Sequence, residues 1–194
     1  MADRPSRPPD DVTWPRAISQ WRSASVPTSV SAMTASPAVD FHHATLGDVD
    51  AILPLIRSYY DFDKIPFDET RIRRAVRELV ADGSLGEAWL LRDGDASVGY
   101  FVLTFGFDLE FGGRQATLTD LYVAPSHRRR GLGSASIRLA ESVLARRGIE
   151  ALELQVERDN AEALAFYQRL GFEEHDRAPL SKRVALLASP NAHS

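Results

Sequence analysis

Three consecutive arginines followed by a Gly-x-Gly pattern form the stretch best suited to chemistry, Arg128-Arg129-Arg130-Gly131-Leu132-Gly133. The stretch stands between a strand-like segment that ends at Ala124-Pro125 and a helix-like segment that begins at Leu132. A helix start exposes amide N–H groups without internal partners, its dipole adds about half a positive charge, and glycines allow a ligand to approach closely. The pattern therefore predicts a site for a phosphate-bearing anion, although an isolated basic run is commonly a solvated surface patch.

Other phosphate-binding loops fit this stretch less well. The chain has no Gly-x-x-x-x-Gly-Lys-Ser/Thr sequence, and the dinucleotide-binding pattern Gly-x-Gly-x-x-Gly would have to follow the first strand. Neither nucleotide-binding fingerprint is present, so the loop belongs to another class of anion site.

The spacing of apolar residues predicts the elements that must position this loop. Strands are expected at 39–44, 88–92, 96–107, 115–123 and 152–156, with two weaker strands at 172–176 and 181–187. Helices are expected from about residue 48, over 68–81, from 132 to near Gly148, and over 161–170. The dipeptide Asp93-Gly94 suits a hairpin turn between the second and third strands.

Composition limits the chain to one domain and excludes several classes of protein. The 194 residues, 44% of them hydrophobic, can bury one substantial core. The chain has no cysteine, which excludes disulfides, thiolate zinc sites and a cysteine nucleophile, and its five histidines follow no metal-ligand spacing. The formal charge of −4 argues against nonspecific nucleic-acid binding. No apolar stretch reaches the roughly 18 to 20 residues of a membrane span, so we expect a soluble, cytoplasmic protein.

The anion loop resembles the signature of a known family. Arg128-x-x-Gly131-x-Gly133 is similar to the Arg/Gln-x-x-Gly-x-Gly/Ala motif of the GCN5-related N-acetyltransferases (GNAT), and the segment from Asn160 to Phe172 resembles that family's second conserved stretch. The resemblance implies an α/β (α+β) fold with a single domain, in which about four helices flank a mixed, mostly antiparallel sheet of six to seven strands. The fourth and fifth strands, 115–123 and 151–156, would splay apart and admit the thioester arm of acetyl-CoA.

The same resemblance implies which residues bind acetyl-CoA. The end of the fourth strand would pair with the pantetheine arm, and the loop and helix start would hold the pyrophosphate. The residues concerned are Leu121, Tyr122, Val123, Arg128, Arg129, Arg130, Gly131, Leu132, Gly133 and Ser134. Asn160 matches a coenzyme-contacting asparagine and can at the same time cap the helix that follows it. Acetyl-CoA is thus the expected co-substrate, and no metal is expected.

Tyr167 is the first of two predicted catalytic residues. It matches the residue that protonates the departing thiolate in many members of the family, a role that suits a phenol of pKa about 10. The alternative is that Phe166 and Tyr167 form an aromatic pair that packs the last helix onto the sheet.

Asp120 is the second predicted catalytic residue, and it would be the base that deprotonates the acceptor amine. Some relatives have a glutamate just before the strand's aspartate, but Thr119 occupies that position here. Glu153 and Glu110 are the other candidates, and each of these carboxylates could instead be structural. Simple alternation along the strand places Asp120 on one face with Leu118 and Tyr122.

The resemblance also implies that the acceptor pocket is lined by the segments 59–67 and 107–111. Both segments are aromatic and acidic, and they would suit a small cationic amine. An exposed acidic loop would have the same composition. The predicted reaction is transfer of acetyl from acetyl-CoA to a primary amine of a small molecule, by direct attack through a tetrahedral intermediate. Acetylation of a protein N-terminus or lysine, and a noncatalytic acyl-CoA sensor, are the alternatives.

The predicted organisation is a disordered leader over 1–38, an N-acetyltransferase domain over 39–188 and a disordered tail over 189–194. No nucleic-acid or membrane partner is expected. A homodimer would agree with the family, although no interface can be identified in the sequence.

Overall fold

A computed structural model describes residues 39–182 and residue 184. The predicted leader and tail lie outside these residues. The chain divides into two compact units, the first of which ends at Gln155 and the second of which begins at Val156.

The first unit is built on a mixed five-stranded sheet whose strands are neighbours in chain order. They are β1 Asp40–His43, β2 Gly86–Asp93, β3 Ala96–Asp108, β4 Gly113–Val123 and β5 Ala151–Leu154. Strands β1 to β4 pair antiparallel, whereas β5 pairs with β4 in parallel. The mixed, mostly antiparallel sheet is therefore confirmed, but the described residues form five strands and not six to seven.

The two weaker strands account for this difference. Residues 172–176 form no regular structure, because Phe172 is followed by four polar residues and no apolar side chain alternates with it. The second of these strands, at 181–187, falls largely outside the described residues, and its described residues 181, 182 and 184 are not in a strand.

Four helices lie within the described residues, as predicted. They are α1 Val49–Phe62, α2 Glu69–Ala81, α3 Leu132–Arg146 and, in the second unit, α4 Ala161–Arg169. Short polar side chains set two of the helix starts, since Asp68 accepts a hydrogen bond from Arg71 N–H and Asn160 accepts one from Ala163 N–H.

One face of the sheet is covered by α1 and α2. Apolar residues of α1 form the main core with alternate residues of the strands, namely Ala88, Leu90, Tyr100, Val102 and Tyr122. The intervening residues, including Phe101 and Leu103, are also fully buried and point to the opposite face, because side chains alternate along a strand. Helix α3 lies on that second face, where Arg147, at its end, hydrogen-bonds to Glu87 of β2.

A β-bulge in β4 changes the alternation that simple counting predicts. Asp120 pairs with Val102, but Leu118 pairs with Leu103, so Thr119 is the extra residue. The bulge turns Leu118 toward the α3 face, while Asp120 stays with Tyr122 on the α1 face. The prediction that Asp120 and Leu118 share a face is therefore wrong.

Candidate active site

The end of β4 presents an open backbone edge. Strand β5 pairs only with residues 115–118, whereas β4 continues to Val123. Ala124 N–H donates to Val98 O at 2.8 Å, so by alternation Tyr122 and Asp120 also bond to β3. The N–H and C=O groups of Leu121 and Val123 consequently point to the side that β5 has left, where Val123 O accepts a hydrogen bond from Arg128. An extended ligand could pair with this edge as an additional strand.

The predicted anion loop follows this edge directly. A 3-10 helix over Pro125–His127 leads to Arg129 at φ 59° and to Gly131 at φ 78°, where α3 has its N-cap. Among residues 39–182 and 184, no atom lies within 4 Å of the position a Cβ would take at Gly131, so glycine is favoured there by its backbone angle and not by crowding.

The start of α3 leaves three amides facing outward. The first helical bond runs from Ala135 N–H to Gly131 O at 3.0 Å, so the N–H groups of Leu132, Gly133 and Ser134 precede it. No side chain of the described residues caps this helix start. With Arg129 and Arg130 beside it, the arrangement can hold a phosphate group through backbone amides, the helix dipole and positive charge.

Arg128 braces the loop instead of reaching toward the helix start. Its Nε donates to Val123 O at 2.9 Å. Its guanidinium carbon lies 5.2 Å from the Phe62 ring centroid and 5.9 Å from that of Tyr122. Arg128 thus connects the loop to the end of β4 and to the last turn of α1.

Asp93, which the sequence analysis placed only in a turn, contacts the same loop. Its Oδ2 lies 3.2 Å from His127 Nε2 and 3.9 Å from the nearest guanidinium nitrogen of Arg130. Asp93 and His127 are separated by 34 positions in the chain, and no local pattern signals a contact of that range.

Asp120 lies among tyrosines on the α1 face. The Tyr100 hydroxyl donates to Asp120 Oδ2 at 3.3 Å. Burial raises the pKa of Asp120 to about 6; the Tyr100 hydrogen bond opposes this rise, and the negative charge of Asp63 adds to it. Burial and the charge of Asp120 in turn raise the pKa of Tyr60. A carboxylate in this state can accept a proton near neutral pH.

Of the other two candidate bases, Glu153 shares the sheet face of Asp120, whereas Glu110 lies far from it. Glu153 pairs with Thr117 across β4 and β5, and therefore faces the same side of the sheet as Asp120. Glu110 lies in the turn between β3 and β4, roughly 20 Å along β4 from Asp120.

The two predicted acceptor segments are separated because 107–111 lies at the β3–β4 turn, far along β4 from Asp120. In the segment 59–67, the Tyr59 ring centroid lies 6.3 Å from that of Tyr122, beside Asp120, and the Tyr60 ring contacts Phe67. The segment 107–111 forms the opposite end of the hairpin, where Phe107 is 69% exposed. Within the described residues the first segment thus lies beside Asp120, whereas the second lies at the far end of the β3–β4 hairpin, so the two do not meet at Asp120.

The second unit holds Asn160 and Tyr167. Asn160 Oδ1 accepts from Ala163 N–H at 3.1 Å, so its capping role is present. The Tyr167 ring lies between two phenylalanines, with centroids 4.9 Å from Phe166 and 5.5 Å from Phe172. Burial raises the pKa of Tyr167 to about 12, which keeps the phenol protonated at neutral pH.

Residues 39–182 and 184 contain neither a metal-binding cluster nor a membrane-spanning helix. This part of the chain contains no group of three or more His, Asp or Glu side chains arranged to hold a metal ion. None of its helices combines the length and apolar character needed to cross a membrane.

Comparisons with known proteins agree with this geometry. The model of the Acetyltransferase (GNAT) family matches residues 51–172. Streptothricin acetyltransferase from Streptomyces lavendulae is 30% identical over 154 residues, which cover 69% of this chain and 80% of that protein. The mycothiol acetyltransferase of Clavibacter michiganensis is 37% identical over 100 residues, which cover 48% of this chain and 31% of that protein. The chain thus spans about a third of that relative's length.

A solved structure shares the fold at appreciable sequence identity. The integron cassette protein HFX_CASS3, from the mobile metagenome of Cole Harbour Salt Marsh, superposes with a TM-score of 0.67 and is 32% identical. The superposition covers 75% of this chain and 91% of that one. With an open β4 edge that leads into a glycine-marked anion loop, and with a family match over most of the described residues, the chain belongs to the acetyltransferase (GNAT) family, whose members use acetyl-CoA as co-substrate.

Proposed function

We propose that this chain transfers acetyl from acetyl-CoA to a primary amine of a small molecule. The observation that carries the proposal is the continuity of the open β4 edge with the uncapped start of α3. A long thioester that ends in phosphates needs hydrogen-bonding groups along its arm and an anion site at its end. Here the hydrogen-bonding edge lies at the end of β4, and the candidate anion site lies in the loop and helix start that follow it.

Different residues would contact different parts of acetyl-CoA. The backbone of Leu121 and Val123 would pair with the pantetheine arm, with Tyr122 between them, and Asn160 would contact the same arm through its amide. The pyrophosphate would be held by the loop and helix start, that is by Arg129, Arg130, Gly131, Leu132, Gly133 and Ser134. Arg128 would brace that loop through its bond to Val123 O.

Asp120 is the proposed general base. An alkylammonium of pKa about 10 does not give its proton readily to a carboxylate of pKa about 6. The attacking species is therefore the neutral amine, which has already lost its ammonium proton to water. Its nitrogen attacks the thioester carbonyl, and as the C–N bond forms the N–H group becomes acidic and gives its proton to Asp120. Val123 N–H, on the open edge, would stabilise the resulting oxyanion.

Tyr167 is the proposed acid that completes the reaction. When the tetrahedral intermediate breaks down, the C–S bond is lost and the thiolate takes the phenolic proton of Tyr167. The products are an N-acetyl amide and free CoA. This role rests on the position of Tyr167 in the Asn160–Phe172 motif and on a pKa that keeps it protonated.

The face around Asp120 favours a cationic acceptor. Asp63 lies close enough to Asp120 to raise its pKa, and Tyr59 and Tyr60 stand beside them. Two carboxylates attract an ammonium group, and the faces of aromatic rings bind cations favourably. We therefore propose polyamines, amino sugars or amino acids as the acceptor class.

The test is acetyl-CoA consumption and release of free thiol against a panel of polyamines, amino sugars, amino acids and short peptides. The expected result is turnover with one of the three small-amine classes, reduced by about 10²-fold or more in Tyr167→Phe while acetyl-CoA affinity changes little. Turnover with peptides alone would replace this proposal with protein acetylation. Acetyl-CoA binding without any turnover would replace it with a noncatalytic sensor.

A further inference from the structure

The turn between β2 and β3 is connected to the anion loop through one carboxylate. Asp93 Oδ2 lies 3.2 Å from His127 Nε2, and His127 Nδ1 lies 2.8 Å from Ser126 Oγ. A neutral imidazole that donates to Asp93 from Nε2 and accepts the Ser126 hydroxyl at Nδ1 satisfies both contacts. Arg130, the residue before the N-cap of α3, lies 3.9 Å from the same Asp93 oxygen. Asp93 therefore holds two points of the loop at once.

The loop needs such support because its backbone is strained. Arg129 has a φ of 59°, in the left-handed region that a residue with a side chain rarely adopts. Conformations of this kind persist where the surroundings hold them. Two of the loop's backbone bonds are local, from His127 N–H to Ala124 O and from Arg128 N–H to Pro125 O. The Asp93 contacts come from a different element of the fold.

The charge of Asp93 is unfavourable for anion binding itself. A carboxylate beside a phosphate site repels the phosphate and partly offsets the charge of Arg130. Its side chain is only 36% exposed, and that of His127 18%, so this repulsion is not fully screened by water. Only a gain in the geometry of the loop can make such a carboxylate useful to coenzyme binding.

We propose that Asp93 is a positioning residue for acetyl-CoA binding, which it supports by fixing His127 and Arg130 in the geometry that presents the α3 amides. The inference rests on the proposed function, because it assumes that this loop binds the coenzyme phosphates. A positioning role and a simple effect of charge predict opposite changes in acetyl-CoA affinity when Asp93 is replaced. Removing a negative charge near the site would tighten binding through the electrostatic field, whereas releasing the loop would weaken it.

The experiment measures the Kd of acetyl-CoA by calorimetry for the wild type, Asp93→Asn and Asp95→Asn. Asp95 is exposed in the same turn, so Asp95→Asn makes the same change of charge and serves as the matched control. Asp93→Asn is expected to weaken binding by about fivefold or more, while Asp95→Asn leaves the Kd unchanged or slightly lower. Asp93→Glu, which restores the carboxylate, is expected to recover most of the affinity.

His127→Gln supplies a second variant that does not depend on the folding of Asp93→Asn. It should also weaken binding, and the double variant should be no weaker than the weaker single one, because both changes break one connection. Binding by Asp93→Asn as tight as the wild type, or tighter, would overturn the inference, as would additive effects in the double variant. If the wild type itself binds no acetyl-CoA, the proposed function fails and the inference fails with it.

Discussion

Two carboxylates that are largely removed from water, Asp48 and Asp120, have opposite surroundings. Asp48, just before α1, receives hydrogen bonds from Thr45, His42 and Arg92. Burial works to raise its pKa, but the bonds from the Thr45 N–H and hydroxyl and from His42 outweigh burial and lower the pKa to about 2. Asp48 is thus fixed as an anion that connects β1, β2 and α1.

At Asp120, hydrogen bonds do not outweigh the effect of burial on the pKa. The Tyr100 hydroxyl is its hydrogen-bond donor, Asp63 is a nearby negative charge, and its pKa rises to about 6. A protein that only needed a stable carboxylate would surround it with donors, as around Asp48. The Asp48 surroundings thus stabilise the fold, whereas those of Asp120 agree with the proposal that it is the general base, with a pKa near neutral pH at some cost in stability.

The largest expected effect is on catalysis by Asp120→Asn. Removal of the proposed base should lower kcat/KM by about 10²-fold to 10⁴-fold at pH 8, without loss of the folded state. The measurement is thiol release with the best acceptor of the panel. Glu153→Gln is the matched control, since it makes the same chemical change on the same face, and it should lower the rate less than about threefold. A larger loss in Glu153→Gln than in Asp120→Asn would move the base to β5.

The next largest expected effect is the loss of protein stability when Asp48 is replaced. Asp48→Asn should lower the free energy of unfolding by about 1 to 3 kcal/mol, because Thr45 and the half-buried Arg92 lose their anionic partner. Urea unfolding at pH 7 measures this change. The rate per folded molecule should match the wild type. A stability equal to that of the wild type would mean that the Asp48 cluster is only a surface arrangement.

Asp120→Asn should have the opposite effect on stability. Because the folded pKa of Asp120, about 6, lies above its ordinary value of 3.8, ionisation costs the folded state about 3 kcal/mol at pH above 6. The cost appears as pH rises from about 4 to about 6, so Asp120→Asn should be about 2 kcal/mol more stable than the wild type at pH 8 and similar to it at pH 4.

For Asp48 the contribution to the free energy of unfolding changes with pH in the opposite direction. Its folded pKa of about 2 lies below the ordinary value of 3.8, so its contribution is fully present above pH 4 and is lost as pH falls toward 2. Urea unfolding of the wild type and both variants across pH 3 to 8 compares the two groups. If Asp120→Asn were less stable than the wild type at pH 8, Asp120 would be a structural carboxylate like Asp48.

The strand, loop and helix arrangement around Gly131 was predictable from the sequence because its signals are local. A glycine at a helix start and a run of arginines after a strand report a backbone conformation and a charge that need no distant partner. The open edge of β4 was an implication of the family resemblance, and the pairing of β5 with residues 115–118 alone agrees with it.

The features that sequence reasoning missed depend on contacts between distant segments. The bulge at Thr119 exists only in the register of β4 against β3, and counting along β4 placed Leu118 on the wrong face for that reason. The contact of Asp93 with His127 and the hydrogen bond of Tyr100 with Asp120 both join residues from different strands and loops. The contact with Tyr100 and the burial of Asp120 affect its pKa, so the prediction that Asp120 is the base gained a physical argument only from the fold.

The most direct test of this account is the pH dependence of kcat/KM for acetyl transfer by the wild type, since this quantity reports ionisations of the free enzyme and the free acceptor. The account predicts a rate that rises with pH along a limb of apparent pKa about 6, separate from the ionisation of the acceptor amine near pH 10. The residual activity of Asp120→Asn should lack that lower limb. The same limb in Asp120→Asn, or its absence from the wild type, would contradict the assignment of Asp120 as the base.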